Sequence, residues 1–242
     1  MKIPIITGSI RRRILLNYRV DPDVIQNLLP PPFSPKLIHG KAIAGICLIR
    51  LEHIRPKGLP ALIGISSENS AHRIAVTWQD PNGNTQEGVY VPRRDTDSML
   101  NSLAGGRLFP GVHHHSSFDV SSTENTIKLT IQPTDTSTPL VKMDVTKSQQ
   151  FPRSSIFRSI TEASKFFEAG NIGYSARPDG KKLDGLFLNI RDWKVSSLET
   201  LHLESSYYND QSIFPQGSIE FDHALLMENI HHEWHSEAPM YL

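Results

Sequence analysis

The segment from Lys41 to Ile54 constrains this chain more than any other. It reads as one long strand with apolar residues on both faces, at Ile43, Ile46, Cys47, Leu48, Ile49 and Leu51. A strand with one wet face alternates apolar and polar residues, so this one must be covered on both sides. Strand-forming segments recur around it. Arg13 to Val20 is one, and His72 to Gln79 and Thr85 to Val91 flank Asp80-Pro-Asn-Gly-Asn84, whose Asn-Gly pair suits a tight hairpin. Ser116 to Val120, Thr126 to Gln132, Leu140 to Thr146, Gly185 to Ile190 and Trp193 to His202 follow.

Helical signals are fewer. Asp21-Pro22 opens a short helix through Val24, Ile25, Leu28 and Leu29, which the prolines at 30, 31 and 32 end. Thr96 or Asp97 caps another through Met99, Leu100 and Leu103, closed by Gly105-Gly106. The clearest spans Ser154 to Ala169, with Ile156, Ile160, Ala163 and Phe167 on one face. A last short helix is expected over Phe221 to Asn229. No repeat and no Gly/Ser linker divides the chain, so residues 1–242 are expected to form a single domain. Its class is α+β and mainly β, with a mostly antiparallel sheet that bends round as a barrel or closed sandwich.

Composition narrows the function. Lysine plus arginine number 25, as do aspartate plus glutamate, and zero net charge argues against a protein that wraps duplex nucleic acid. No apolar run approaches the roughly 18 residues of a membrane span and no secretory segment follows Met1, which points to a cytoplasmic protein without a membrane partner. The single cysteine, Cys47, rules out an internal disulfide and a multi-cysteine zinc knuckle. No Walker loop, Gly-x-Gly-x-x-Gly or Gly-x-Ser-x-Gly occurs, so nucleotide-binding and hydrolase readings lack support. No cofactor is expected.

The candidate chemistry lies in histidines, arginines and one glutamate. Along a strand His113 and His115 share one face and His114 the other. On an inward face they offer acid–base catalysis, metal ligation or a hydrogen bond to a substrate carbonyl, and on an outward face they are solvated. His231-His-Glu-Trp-His235 is one residue short of the His-Glu-x-x-His zinc pattern, and no metal is expected there. The guanidinium forks of Arg11-Arg12-Arg13 and Arg93-Arg94 suit an anionic substrate, or else surface pairing with Asp95 and Asp97. Glu68 sits in a polar interruption, where a barrel mouth would desolvate it for acid–base work.

Several segments together carry a resemblance. They are Asn17-Tyr-Arg-Val-Asp-Pro22, Leu28-Leu-Pro-Pro-Pro-Phe33, Pro92-Arg-Arg-Asp-Thr-Asp97, Gly105-Gly-Arg-Leu-Phe-Pro-Gly-Val-His-His114 and Phe221-Asp-His-Ala-Leu-Leu-Met227. In this order they resemble the YqjF-like family (domain of unknown function 2071), itself distantly similar to acetoacetate decarboxylases. The resemblance implies an antiparallel β-barrel or cone with a central pocket and a few peripheral helices, and a homo-oligomer. It implies an anion clamp at Arg11 and a pocket glutamate at Glu68, with Arg94 and Arg107 as further substrate-binding candidates beside the histidines. It does not bring the Schiff-base lysine of the decarboxylases, because no lysine occurs from Gly58 through Ile127. Histidine at 113 to 115 stands in that region instead, and imidazole cannot form an iminium with a ketone. Three readings follow. One is an enzyme or degenerate enzyme on a small carbonyl or carboxylate compound, using lyase- or isomerase-type acid–base chemistry. The second is a non-catalytic protein that binds such a ligand, and the third is a metal-binding protein using the histidine clusters.

Overall fold

The computed structural model describes residues 4–99 and 111–242. The expected helix through Leu100 and Leu103, the Gly105-Gly106 turn and Arg107 lie outside those residues. Thirteen strands form one sheet: β1 (Ile6–Val20), β2 (Ser34–Pro35), β3 (Leu37–Ile38), β4 (Lys41–Pro56), β5 (Ile65–Gln79), β6 (Thr85–Thr96), β7 (His113–Ser122), β8 (Thr126–Pro133), β9 (Val141–Ser148), β10 (Ile172–Ala176), β11 (Lys182–Ile190), β12 (Ser196–Ser205) and β13 (Ile219–Tyr241). Helices α1 (Pro22–Gln26) and α2 (Ile160–Ala169) lie outside the strands.

The pairing order is β11-β10-β6-β7-β8-β9-β12-β13-β1-β4-β5-β2, and β11–β13 and β5–β6 add two closures. One ring of strands therefore runs β13-β1-β4-β5-β6-β10-β11, and a second runs through β7, β8, β9 and β12. Pairing is antiparallel except where β6 meets β7 and β10. The mainly β, mostly antiparallel architecture expected from the sequence is present. No helix among the described residues is long and apolar enough to cross a membrane.

The two-faced burial of β4 is satisfied by two different neighbours. Ala44, Ile46 and Leu48 join the largest apolar cluster with Ile14, Leu16, Ile74, Leu129 and Val145. On the opposite face Ile43 and Cys47 join Leu15, Ala75 and Leu225 beneath Phe157, Ala163 and Phe167. Helix α2 thus covers what the second ring leaves open. It is shorter than expected, beginning after Ser159, whose hydroxyl accepts from the Glu162 amide while Glu162 accepts from the Arg158 amide. Residues 154–158 do not join the helix because Asp222 holds them in turns. Its carboxylate accepts from the Ser155 hydroxyl at 2.5 Å and from the Ile156 amide at 2.8 Å.

The helix expected over Phe221 to Asn229 is part of β13. Ala-Leu-Leu-Met favours helix locally, but Ala224, Leu225 and Leu226 pair with β1 on one side and β12 on the other. A doubly paired strand with both faces buried overrides propensity.

Within the large cluster His72 is fully buried, with its ring centroid 4.6 Å from that of Tyr207 and 5.6 Å from that of Tyr208. Neither ring nitrogen has a hydrogen-bond partner among the described residues. Burial lowers its pKa from 6.5 to about 4, and burial acts in the same direction on His113 and His232. A group held neutral in this way contributes stability that is complete above about pH 6.5 and is lost as pH falls towards 4. The His72 share is on the order of 3 kcal/mol. Thermal melts from pH 7 to pH 4 should show a falling midpoint in the native chain and a shallower fall in His72→Phe. Parallel profiles would show that His72 does not report on folding.

Candidate functional site

Two irregularities in the strands place the charged side chains. In β1, Ile10 stands opposite Leu51 and Arg12 opposite Arg50, so Arg11 is an extra residue against β4. Such a bulge resets which face the following residues point to. Arg11 projects outward, exposed, and donates to the Asn229 side chain. Arg13 is buried and points inward. In β6, Tyr90 pairs with Ile74 and Arg93 with His72, which leaves Val91 and Pro92 opposite Arg73 alone. Proline has no amide hydrogen to give the ladder and is suited to a bulge. Val91 and Arg94, three residues apart, consequently line the same cavity.

That cavity, about 120 Å³ and partly open to solvent, is lined from β1, β4, β5, β6, β10 and β11 with Trp193 and Trp234. Arg13, Arg73 and Arg94 all line it, with Cys47 among apolar walls that include Ile49, Leu186 and Leu188. A second lobe of about 70 Å³ shares Ile49, Ala71, Arg94 and Trp234 with it and adds Asn69, Ser70, Asp95 and His113. No lysine lines either lobe among the described residues.

None of the three arginines forms an ion pair with a carboxylate among the described residues. Arg13 donates to Cys47 Sγ at 3.3 Å and towards Met227 Sδ at 3.9 Å, and its guanidinium lies 5.5 Å from the centre of the Trp193 ring. Arg73 donates to Asn17 Oδ1 at 2.7 Å and lies 4.8 Å from the Phe167 ring centre. Arg94 donates to Ser175 Oγ at 3.3 Å. The Nε of Arg73 and that of Arg94 are buried without a hydrogen-bond partner among the described residues. Burial lowers the pKa of both to about 10, so both stay charged at neutral pH. Three cations among largely apolar walls make a strongly positive chamber that is partly open to solvent.

The residues singled out from the sequence are spread over several places. His113 lines the second lobe, where burial first and Arg94 second lower its pKa to about 4 and keep the imidazole neutral. His114 and His115 stand opposite Asp95 and Thr96 along β7, and neither lines either lobe. Arg93, not Arg94, takes the structural pairing: it grips fully buried Asp95 through two bonds of 3.0 and 2.9 Å. Glu68 lies outside both lobes and accepts from Arg12 Nη2 at 2.8 Å. Its pKa is raised by burial, with Arg12 and Arg50 pulling the other way. Arg11 lines neither lobe, so it does not share His113's cavity.

Among the C-terminal histidines, His231 meets the Ser9 hydroxyl, His235 meets Glu233, and His232 packs edge-on against Trp234 with ring centres 4.2 Å apart. No cluster of three or more metal-ligating side chains occurs among the described residues.

Sequence reasoning included Arg13 only within the run Arg11-Arg12-Arg13; it missed Arg73 and Cys47 and the side chains that hold Arg73. Asn17 accepts from Arg73 and donates to His223 Nε2 at 3.1 Å, and His223 Nδ1 meets Asp222 Oδ2 at 2.6 Å. Because Asn17 Nδ2 can only donate, Nε2 is the acceptor and Nδ1 carries the proton donated to Asp222. Burial lowers the His223 pKa against the pull of Asp222, consistent with a neutral ring. The signal was present: Asn17 and Asp222-His223 sit in two of the segments that carry the resemblance. Asn17→Leu should cost about 2 kcal/mol, roughly 4–8 °C in melting midpoint, because it strands two buried polar groups. An unchanged midpoint would mean that this chain of bonds does not hold Arg73.

A model of the family described as an uncharacterized conserved protein (domain of unknown function 2071) matches residues 7–216. A search of curated proteins gives no match. Among solved structures, an acetoacetate decarboxylase from Legionella pneumophila subsp. pneumophila str. Philadelphia 1 is similar at a TM-score of 0.64 and 14% identity, covering 98% of this chain and 88% of that one. An acetoacetate decarboxylase-like enzyme from Sphingomonas wittichii RW1 gives 0.61 and 13%, covering 100% and 94%. The enduracididine biosynthesis enzyme MppR, complexed with pyruvate, gives 0.60 and 10%, covering 100% and 91%. At these identities the likeness is one of fold.

Proposed function

We propose that this chain, which belongs to the uncharacterized conserved family of domain of unknown function 2071, binds a small carboxylate in the chamber of Arg13, Arg73 and Arg94. It does so as a binding protein or as an enzyme that has lost the decarboxylases' lysine chemistry. One observation carries the reading: three guanidinium groups line one cavity and none has a carboxylate partner among the described residues. Burying an uncompensated cation is costly, and three in one chamber leave a demand that a small anion meets. Arg forks match carboxylates bidentately, while the two tryptophans and the leucines suit a short apolar body. His113, neutral at pH 7, supplies a donor or acceptor for a neighbouring carbonyl oxygen at the second lobe. The pyruvate complex of a fold relative supports a ligand of this size and charge.

Without a lysine at either lobe, Schiff-base chemistry has no amine to start from. Treating the protein with acetoacetate and borohydride should leave its mass unchanged, and a stable adduct would show a lysine acting in the chamber.

The binding itself is tested with pyruvate and acetoacetate against acetone, a neutral analogue. Both carboxylates should raise the melting midpoint and acetone should not. Arg94→Gln should weaken the effect about tenfold or more, as loss of a charge-assisted hydrogen bond predicts. Equal effects of acetone and the acids would refute the anion chamber. Because the His113 ring stays neutral well below pH 6, affinity should be flat between pH 6 and 8.

A further inference from the structure

We propose that Cys47 is a nucleophile within this chamber, placed to add to a small carboxylate whose electrophilic carbon adjoins the carboxyl group. The inference rests on the chamber binding anions, and it adds a covalent step that such binding does not require.

Cys47 is the chain's sole cysteine, sits in the middle of β4 and lines the cavity with the three arginines. Its sulfur accepts the Arg13 Nε hydrogen at 3.3 Å, and the other acceptor of that guanidinium is a second sulfur, Met227 Sδ. Arg13 thus directs donors on Nε and Nη1 to weak sulfur acceptors, which a carboxylate oxygen would outcompete. Across the cavity Arg73 is 6% exposed, and its Nε has no hydrogen-bond partner among the described residues. Arg94 Nε is in the same condition on the wall between the two lobes. These are the features of a site waiting for an anion, and the only thiol of the chain is in its wall.

A carboxylate held by these forks in a space of about 120 Å³ keeps its neighbouring carbon close to Sγ. With a 2-oxo acid, a bond forms between sulfur and the carbonyl carbon. The π electron pair moves to oxygen and the thiol proton ends on that oxygen, giving a reversible hemithioketal. No oxidant or further reactant is needed. The arginines choose the electrophile by its charge, and the sulfur supplies the electron pair that the missing lysine cannot.

The test uses iodoacetate and iodoacetamide, which differ in charge and share a leaving group. With either, the S–C bond forms, the C–I bond breaks, iodide leaves with the electron pair and the thiol proton passes to solvent. Alkylation of the full chain is followed by intact mass and mapped to the Cys47 peptide, with urea-unfolded protein as the reference. The folded protein should prefer iodoacetate over iodoacetamide by about tenfold more than the unfolded chain does, because the chamber concentrates the anion. Excess pyruvate should slow the reaction. Arg94→Gln, and separately Arg13→Gln, should bring the ratio back towards that of the unfolded chain. Equal ratios in the folded and unfolded wild-type protein would overturn the inference, as would a folded protein that stays unmodified while the unfolded one reacts. If pyruvate still raises the wild-type melting midpoint in that event, anion binding stands and the nucleophile alone fails. Should one variant not fold, the wild-type ratio and the other variant still decide.

Discussion

The structure depends on β13 being paired by three neighbours in succession. Residues from Ile219 to Trp234 lie against β1, Ala224 to Leu226 also meet β12, and the stretch from His232 to Tyr241 pairs with β11. Only an extended segment can satisfy hydrogen bonds on both sides at once, so the helix-favouring Ala-Leu-Leu-Met stretch has no alternative within this fold. That single strand joins both rings. Remove it, and β1 loses one long partner while β11 and β12 each lose an edge. The two-sided burial of β4 follows from the same closure, because the rings and helix α2 together put apolar residues on both of its faces.

Closure also creates the chamber, and the bulges at Arg11 and Pro92 decide what lines it. In a regular strand Arg11 and Arg13 would share a face, and Val91 would share one with Arg93. Inserting one residue in each strand brings Arg13 and Arg94 inward and leaves Arg11 outside and Arg93 on Asp95. The same two insertions therefore separate a structural arginine from a chamber arginine within each basic pair. Charge totals cannot reveal this. The chain is neutral overall, yet three arginines line one cavity without a carboxylate partner among the described residues, while Arg19, Lys36 and Arg177 hold carboxylates elsewhere.

What was legible in the sequence tracks how local the determining physics is. The hairpin at Asn82-Gly83, the proline-started helix α1 and the apolar stripe of α2 are set by neighbours a few residues apart and are present, although α1 ends at Gln26, before Leu28, Leu29 and the prolines that were expected to end it. The start of α2 was misplaced because Asp222, 66 residues away from Ile156, captures the preceding turn. The resemblance implied an anion clamp at Arg11, but a register insertion, which exists only relative to β4, leaves that side chain exposed. Arg73 was invisible for a related reason. An arginine between Ala71 and Ala75 reads as a polar position on a half-exposed hairpin, and only helix α2 and the second face of the sheet enclose it. His113 was singled out because three consecutive histidines mark themselves by composition, whereas Cys47 was hidden in an apolar run as one more small core residue.

The bonds behind Arg73 explain how the chamber can hold a cation in place and still leave its charge available. A carboxylate placed directly on Arg73 would orient it and neutralise it together. Here the direct partner is the neutral amide of Asn17, which is oriented by neutral His223, and only then comes Asp222. Donors from His223, Ser155 and the Ile156 amide outweigh the burial that would raise the Asp222 pKa, so this carboxylate stays ionised. Its negative charge is met at 3.2 Å by Arg19, on the side away from Arg73. Orientation passes along the chain of hydrogen bonds, but countercharge does not. The uncompensated charge lies at the cavity, where the apolar walls strengthen an ionic contact. A neutral body that merely filled the space would leave that charge unmet, which is why the proposed ligand is an anion.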